Sequence, residues 1–277
     1  DVGDLVKKYL LNSSLYYSQN IFNCFSSAFE AGAIVNRKLL LEDYNASGMG
    51  LGIKTLETIY PNEQILKIPL TSGLNGIDML DSIKDQRHNL VRELCSKIAD
   101  TIAPPQARDK MFQVQSLTWQ VMLNSQHQQA SNNSLVTAFP DSDLTQLIFY
   151  TREEIDRLNS LNLKLNISNV SMFYKQLMDI VMSEKTFEID QKVYLWAYND
   201  VISRKISLTD PKPCELLLPI VDYINHSSKD YNVDFMPSYD YESQKSYLIV
   251  TSIKEIEEGS QILRYYGQDS NFNYMNK

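Results

Sequence analysis

Three short stretches hold the side chains best suited to chemistry. The first is Asp222-Tyr223-Ile224-Asn225-His226-Ser227, which sets an acid, an amide, an imidazole and a hydroxyl side by side. A hydrolase built on His226 would need a nucleophile and an orienting acid around it. Ser227 is adjacent, but no G-x-S-x-G elbow is present. A metal centre needs several ligands. His88 and His127 fall in helix-patterned sequence without ligand spacing, and Cys24, Cys95 and Cys214 are widely separated, with no CxxC. Alone, His226 reads as a polar knot beside a core. The second stretch is Tyr265-Tyr266-Gly267, a strand end where tyrosine packs more often than it reacts. The third places Gly48, Gly50 and Gly52 at alternate positions. No further glycine or helix follows at dinucleotide-binding spacing, so the pattern speaks only for close backbone approach.

These residues need elements to position them. Apolar residues recur at helical spacing from Asp4 to Leu41 (Val6, Tyr9 and Leu10, then Ile21, Phe25 and Phe29), with Gly32 as a left-handed cap. From Gly48 to Pro69 the pattern is a glycine loop between short strands, with a turn at 58–63 and a strand over 64–69. Helical periodicity returns over 81–102, 110–126, 173–182 and 189–201, and Thr151 with Glu154 forms a capping box. The apolar run 216–221 must be buried and leads into Asp222. Strands are expected over 247–251 and 261–267, with a turn at 257–259. Strands therefore flank a long helical middle and pair around it, which is an α+β architecture.

The chain has 277 residues, 43% of them hydrophobic, enough for a sizeable core. Its formal net charge of −8 argues against a nucleic-acid partner and suits a basic one. Scarce cysteine points to a reducing, intracellular compartment: cytoplasmic, or organellar if a targeting peptide has been removed upstream of Asp1. No apolar run reaches the ~20 residues that span a bilayer.

The order of signals resembles one family. Gly50-Leu51-Gly52-Ile53 precedes Ile59, Glu63 and Ile68-Pro69; Phe139-Pro140, the Thr151 to Leu158 stretch, Trp196-Ala197 and Ser203-Arg204 follow; then come Asp222-x-x-Asn225-His226-Ser227 and Tyr266-Gly267-x-x-Ser270-Asn271. This combination is similar to the SET-domain protein methyltransferases, in the branch of Rubisco large-subunit lysine methyltransferase, over nearly the whole chain. The resemblance implies small β-sheets with a C-terminal pseudoknot anchored by Ser270 and Asn271, and a large helical insertion. Its expected layout is a helical flank at 1–45, a SET core at 46–75 and 206–277, and an insertion at about 76–205. It further implies S-adenosylmethionine as cofactor and a lysine side chain of a non-histone protein as substrate, with no metal. Met49, Gly50 and Leu51 would line the cofactor through their backbone, Arg204 would take its carboxylate, Asn225 and His226 would hold the adenine, Asp222 would order that segment, and Tyr266 would be catalytic. Met49 stands where the family often has an acid. The family's C-terminal helical substrate-binding domain is expected to be absent from this chain, with Phe272 or Tyr274 as substitutes for its aromatic segment. Two alternatives stay open: a SET-like structural subunit of a larger assembly with weak or lost activity, and a protein-histidine methyltransferase.

Overall fold

The structure is a computed structural model, which describes residues 2–10, 19–44, 50–77, 87–126, 134–139, 152–157, 161–186, 188–209 and 213–265. In chain order the elements are α1 (Val2–Leu10), α2 (Gln19–Glu30), β1 (Ile34–Val35), β2 (Leu39–Asp43), β3 (Leu51–Thr55), β4 (Gln64–Pro69), β5 (Leu74–Asn75), α3 (Arg87–Ile102), α4 (Arg108–Gln126), α5 (Ser134–Thr137), α6 (Arg152–Asp156), α7 (Leu161–Ser183) and α8 (Gln191–Arg204). They continue with β6 (Ile206–Leu208), β7 (Cys214–Leu217), β8 (Asn225–His226), β9 (Val233–Asp240), β10 (Lys245–Ser252) and β11 (Leu263–Arg264). The mixed α+β class is as expected. The chain divides into two units, one of Asp1–Leu74, His127–Phe139 and Leu217–Gln268, the other of Asn75–Gln126, Pro140–Leu216 and Asp269–Lys277.

In the first unit a six-stranded sheet runs β1-β4-β10-β9-β11-β8, and β2 pairs with β3. Strands remote in sequence do pair, as the sequence required: β4 lies antiparallel to β10, with Ile68 opposite Leu248 and Leu66 opposite Val250, all fully buried. The 216–221 run is buried too, with Leu217, Leu218, Ile220 and Val221 at most 2% exposed. One expectation fails. The helical reading from Asp4 to Leu41 stops at Glu30, and Leu39–Asp43 is a strand. Gly32 (φ +102) ends α2 in a Schellman motif, Ala33 N donating to Ala28 O at 2.9 Å and Gly32 N to Phe29 O at 3.0 Å. Once the chain has turned there, Leu39, Leu40 and Leu41 bury themselves in a sheet. The helical spacing of so short a leucine run cannot be told from a buried strand.

Strand β9 was not foreseen: its Asp234, Pro237 and Asp240 are residue types depleted in strands. Its far side meets β11 only at Val233, opposite Arg264, so from 234 onward it is an edge among the described residues. An edge tolerates the missing N–H of Pro237. The 261–267 strand shortens, among the described residues, to Leu263–Arg264, preceded by a bridge between Gln261 and Lys54.

The second unit is built on α4, which is buried nearly all round and carries buried polar residues inward. Each has a task. Gln113 Oε1 accepts from Glu215 N at 2.8 Å, Gln120 Nε2 donates to Asn75 O at 3.1 Å, and Gln115 accepts from the Tyr194 hydroxyl. Buried amides so engaged fix one packing where apolar contacts alone would allow several. Helix α8 begins two residues later than the 189 expected, because Asp190 is its N-cap, accepting from Lys192 N at 2.8 Å.

Candidate functional site

The first unit brings Gly50, Leu51 and Asn225 together, with His226 beside them. Gly50 sits at φ +66, and no atom of the described residues lies within 4 Å of where a Cβ would be. Its carbonyl accepts from Tyr44 N at 2.7 Å. On the next carbonyl, Asn225 Nδ2 donates to Leu51 O at 3.0 Å, joining positions 174 residues apart. Gly52 is glycine for a different reason. A Cβ there would collide with Gln261 Nε2 and lie 2.7 Å from Asn225 Nδ2 and 2.8 Å from Tyr44 Cδ2. The alternating glycines thus serve two ends: Gly50 supplies a left-handed turn, and Gly52 makes room for two side-chain amides.

The Asp222 segment is set by backbone strain. Ile220 holds φ 68 and ψ −45, and Val221 N donates to Pro219 O at 2.7 Å, which is a γ-turn centred on a β-branched residue. Such a conformation costs about 1–3 kcal/mol and persists only where packing over-determines it. Here Ile220 is 1% exposed, and Tyr223 stacks on Phe25 of α2 at 5.9 Å. Asp222 follows in the single 3-10 turn Val221–Tyr223. Its charge acts on the buried Cys24 thiol, which burial first and Asp222 second push up to about 12, leaving it unreactive.

Asn225 and His226 form β8 at the edge of the sheet, parallel to Leu263 and Arg264. The His226 ring lies 6.3 Å from the Tyr265 ring, and Tyr265 lies 5.2 Å from Tyr231. Ser227 is occupied as a turn acceptor: its Oγ takes Asp230 N at 2.8 Å. That suits a structural hydroxyl better than a nucleophile.

Arg204 belongs to the second unit. It closes α8, where its charge suits the helix C-terminus, and its Nε donates to Asp200 Oδ1 at 3.0 Å. Met49, Tyr266, Gly267, Ser270, Asn271, Phe272 and Tyr274 lie outside the described residues, as do Gly48, Pro140, Thr151 and Leu158. Sequence reasoning assigned no role to Tyr44 or Gln261. Nothing in linear spacing ties 44 and 261 to 52, and only the folded β3 corner does. Among the described residues no group of three or more His, Cys, Asp or Glu could hold a metal, and no helix is long and apolar enough to cross a membrane.

The residues present suit an adenosyl ligand on three observations: a Gly50 backbone clear of other atoms among the described residues, an amide locking the next carbonyl, and a buried donor at Gln261 Nε2 with no partner among the described residues. No protein-family profile matches the chain, and no curated protein matches it by sequence. Solved structures do. The SET domain of LSMT bound to lysine and AdoHcy superposes with a TM-score of 0.67 at 16% identity, over 94% of this chain and 56% of that one. Rubisco LSMT bound to AdoMet superposes with a TM-score of 0.62 at 18% identity, over 94% of this chain and 55% of that one. The chain thus spans little more than half the length of the proteins it matches. At such identity the likeness speaks for architecture: this chain has the SET-domain fold of the Rubisco LSMT type.

Proposed function

We propose that the chain binds S-adenosylmethionine and transfers its methyl group to a lysine side chain of a non-histone protein. The observation that carries this reading is the Gly50–Leu51–Gly52 segment locked by Asn225 beside His226, in the fold of proteins solved with AdoMet and AdoHcy. When bound, the cofactor supplies an electrophilic methyl sulfonium. The chain's own residues then have three tasks. The β3 backbone and the Asn225–His226 pair hold the adenosine, the first through close approach and the second through polar groups fixed by strand pairing. The sequence resemblance assigns the carboxylate end to Arg204, whose Nε is held by Asp200 Oδ1 within the second unit. Tyr266 orients the attacking amine through its hydroxyl. A lysine amine has an ordinary pKa of ~10.4 and must arrive neutral, which an apolar channel beside a cation favours by desolvation and like charge.

The test is calorimetric titration of the chain with S-adenosylmethionine and S-adenosylhomocysteine, followed by methyl transfer to lysine-bearing proteins with wild type and Tyr266→Phe. Micromolar binding by both forms, with transfer lost in the variant, is the expected result. A well-folded chain that binds neither ligand would sink the reading and favour a structural SET-like subunit. Transfer to histidine would overturn the lysine assignment alone.

A further inference from the structure

Gln261 lies just before β11, at the same corner as Gly52 and Asn225. Its backbone is rigidly held: its carbonyl accepts from Asn232 Nδ2 at 2.9 Å, Asn232 Oδ1 accepts from Leu263 N at 2.9 Å, and Ile262 N donates to Ile53 O at 2.8 Å. Its side-chain amide is held differently. Nε2 is closed to water and has no hydrogen-bond partner among the described residues. A buried donor left unmade is costly, and such a group in a native fold calls for an explanation.

Its neighbours make the explanation specific. Among the described residues, the amides of Gln261 and Asn225 and the Tyr44 ring fill the space that a side chain at Gly52 would need. Asn225 spends its amide on Leu51 O, leaving Gln261 as the uncommitted donor at the corner. The last torsion of a glutamine is soft, so its N–H can swing toward an arriving acceptor. We infer that Gln261 is a further ligand-binding residue, whose side-chain N–H donates to an acceptor atom of the adenosyl ligand at the Gly50–Gly52 corner. This rests on the reading of the site as a cofactor site. It adds a donor that the Asp222 to Ser227 motif does not contain, and it explains an otherwise unfavourable buried group: the ligand-free fold carries an unmet donor that binding satisfies.

Two variants separate this role from its rivals. Gln261→Met keeps length and removes both donor and acceptor. Gln261→Glu removes the donor and keeps an acceptor facing Asn225. Each is titrated with S-adenosylhomocysteine by calorimetry, and each is melted without ligand. The expected result is binding weakened about three- to tenfold in both variants, with a ligand-free melting temperature equal to or above that of wild type in Gln261→Met. The combination is diagnostic, since a buttress would lose stability and affinity together. The inference is overturned if both variants bind like wild type, which would mean that water or nothing meets the donor. It is also overturned if only Gln261→Met weakens binding, which would make Gln261 an acceptor for Asn225, or if stability and affinity fall in parallel. Wild type failing to bind would remove the cofactor reading and this inference together, whereas binding by wild type and both variants alike removes this inference alone.

Discussion

Gly50 and Gly52 stand two residues apart yet are glycine for opposite reasons, and this yields an ordering that substitution can test. At Gly50 the backbone is left-handed, at φ +66, and among the described residues the space for a Cβ is open. Alanine there meets no atom of the described residues and pays for conformation, roughly 1–2 kcal/mol. Asparagine, which tolerates that region better, costs less than alanine. At Gly52 the φ is not left-handed, and the obstacle is Gln261 Nε2, with Asn225 Nδ2 at 2.7 Å and Tyr44 Cδ2 at 2.8 Å. Alanine there forces those groups apart at about 1–3 kcal/mol, and asparagine, being larger, costs more. The rank of alanine and asparagine therefore inverts between the two sites. Urea unfolding followed by far-ultraviolet circular dichroism measures it. Tryptophan fluorescence is the wrong probe, because Trp119 and Trp196 both lie in the second unit. Asparagine costing as much as alanine at Gly50, or less than alanine at Gly52, would refute the assignment of causes. A second readout follows from the proposed function: Gly52→Ala, by displacing Asn225 from Leu51 O, weakens S-adenosylhomocysteine binding.

Further outcomes follow from the same contacts. Partial burial raises the Glu63 carboxyl pKa, but hydrogen bonds from Lys38, Asn36 and Tyr60 N, together with the Lys38 charge, outweigh it and hold the pKa below its ordinary value. A carboxylate depressed on folding contributes stability above its unfolded pKa of ~4.3 and loses it as pH falls through the folded value. Stability measured from pH 6 down to pH 3 should thus fall more steeply in wild type than in Glu63→Gln, and equal slopes would dismiss the network. Asn232→Leu strands Leu263 N and Gln261 O, so it should destabilise by roughly 2 kcal/mol or more and remove hydrogen-exchange protection at the Leu263 amide. In the second unit, Tyr194→Phe leaves Gln115 Oε1 without its buried donor and should cost about 1–3 kcal/mol, read this time by Trp119 fluorescence, whose ring packs 6.0 Å from Tyr194.

The sequence by itself determined the α+β class, the buried 216–221 run, the Gly32 cap and the residue types of the Asp222–Ser227 motif. Each is written in local pattern: apolar density, a glycine at a helix end, a polar group after a core strand. It also carried the SET resemblance, because the order of short motifs survives where identity to the solved structures is only 16–18%. Local pattern misread 39–41 as helix, because three leucines in a row satisfy helical and strand burial alike, and only the pairing of Leu39 with Thr55 and Leu41 with Ile53 decides between them. It passed over β9, whose Pro237 is tolerated because that side of the strand is an edge among the described residues. The function of a glycine or an amide also depends on partners far along the chain. That Gly52 must be bare, that Asn225 locks Leu51, and that the buried Gln261 Nε2 has no partner among the described residues are facts about three segments meeting at one corner, and only the tertiary structure decides who meets there.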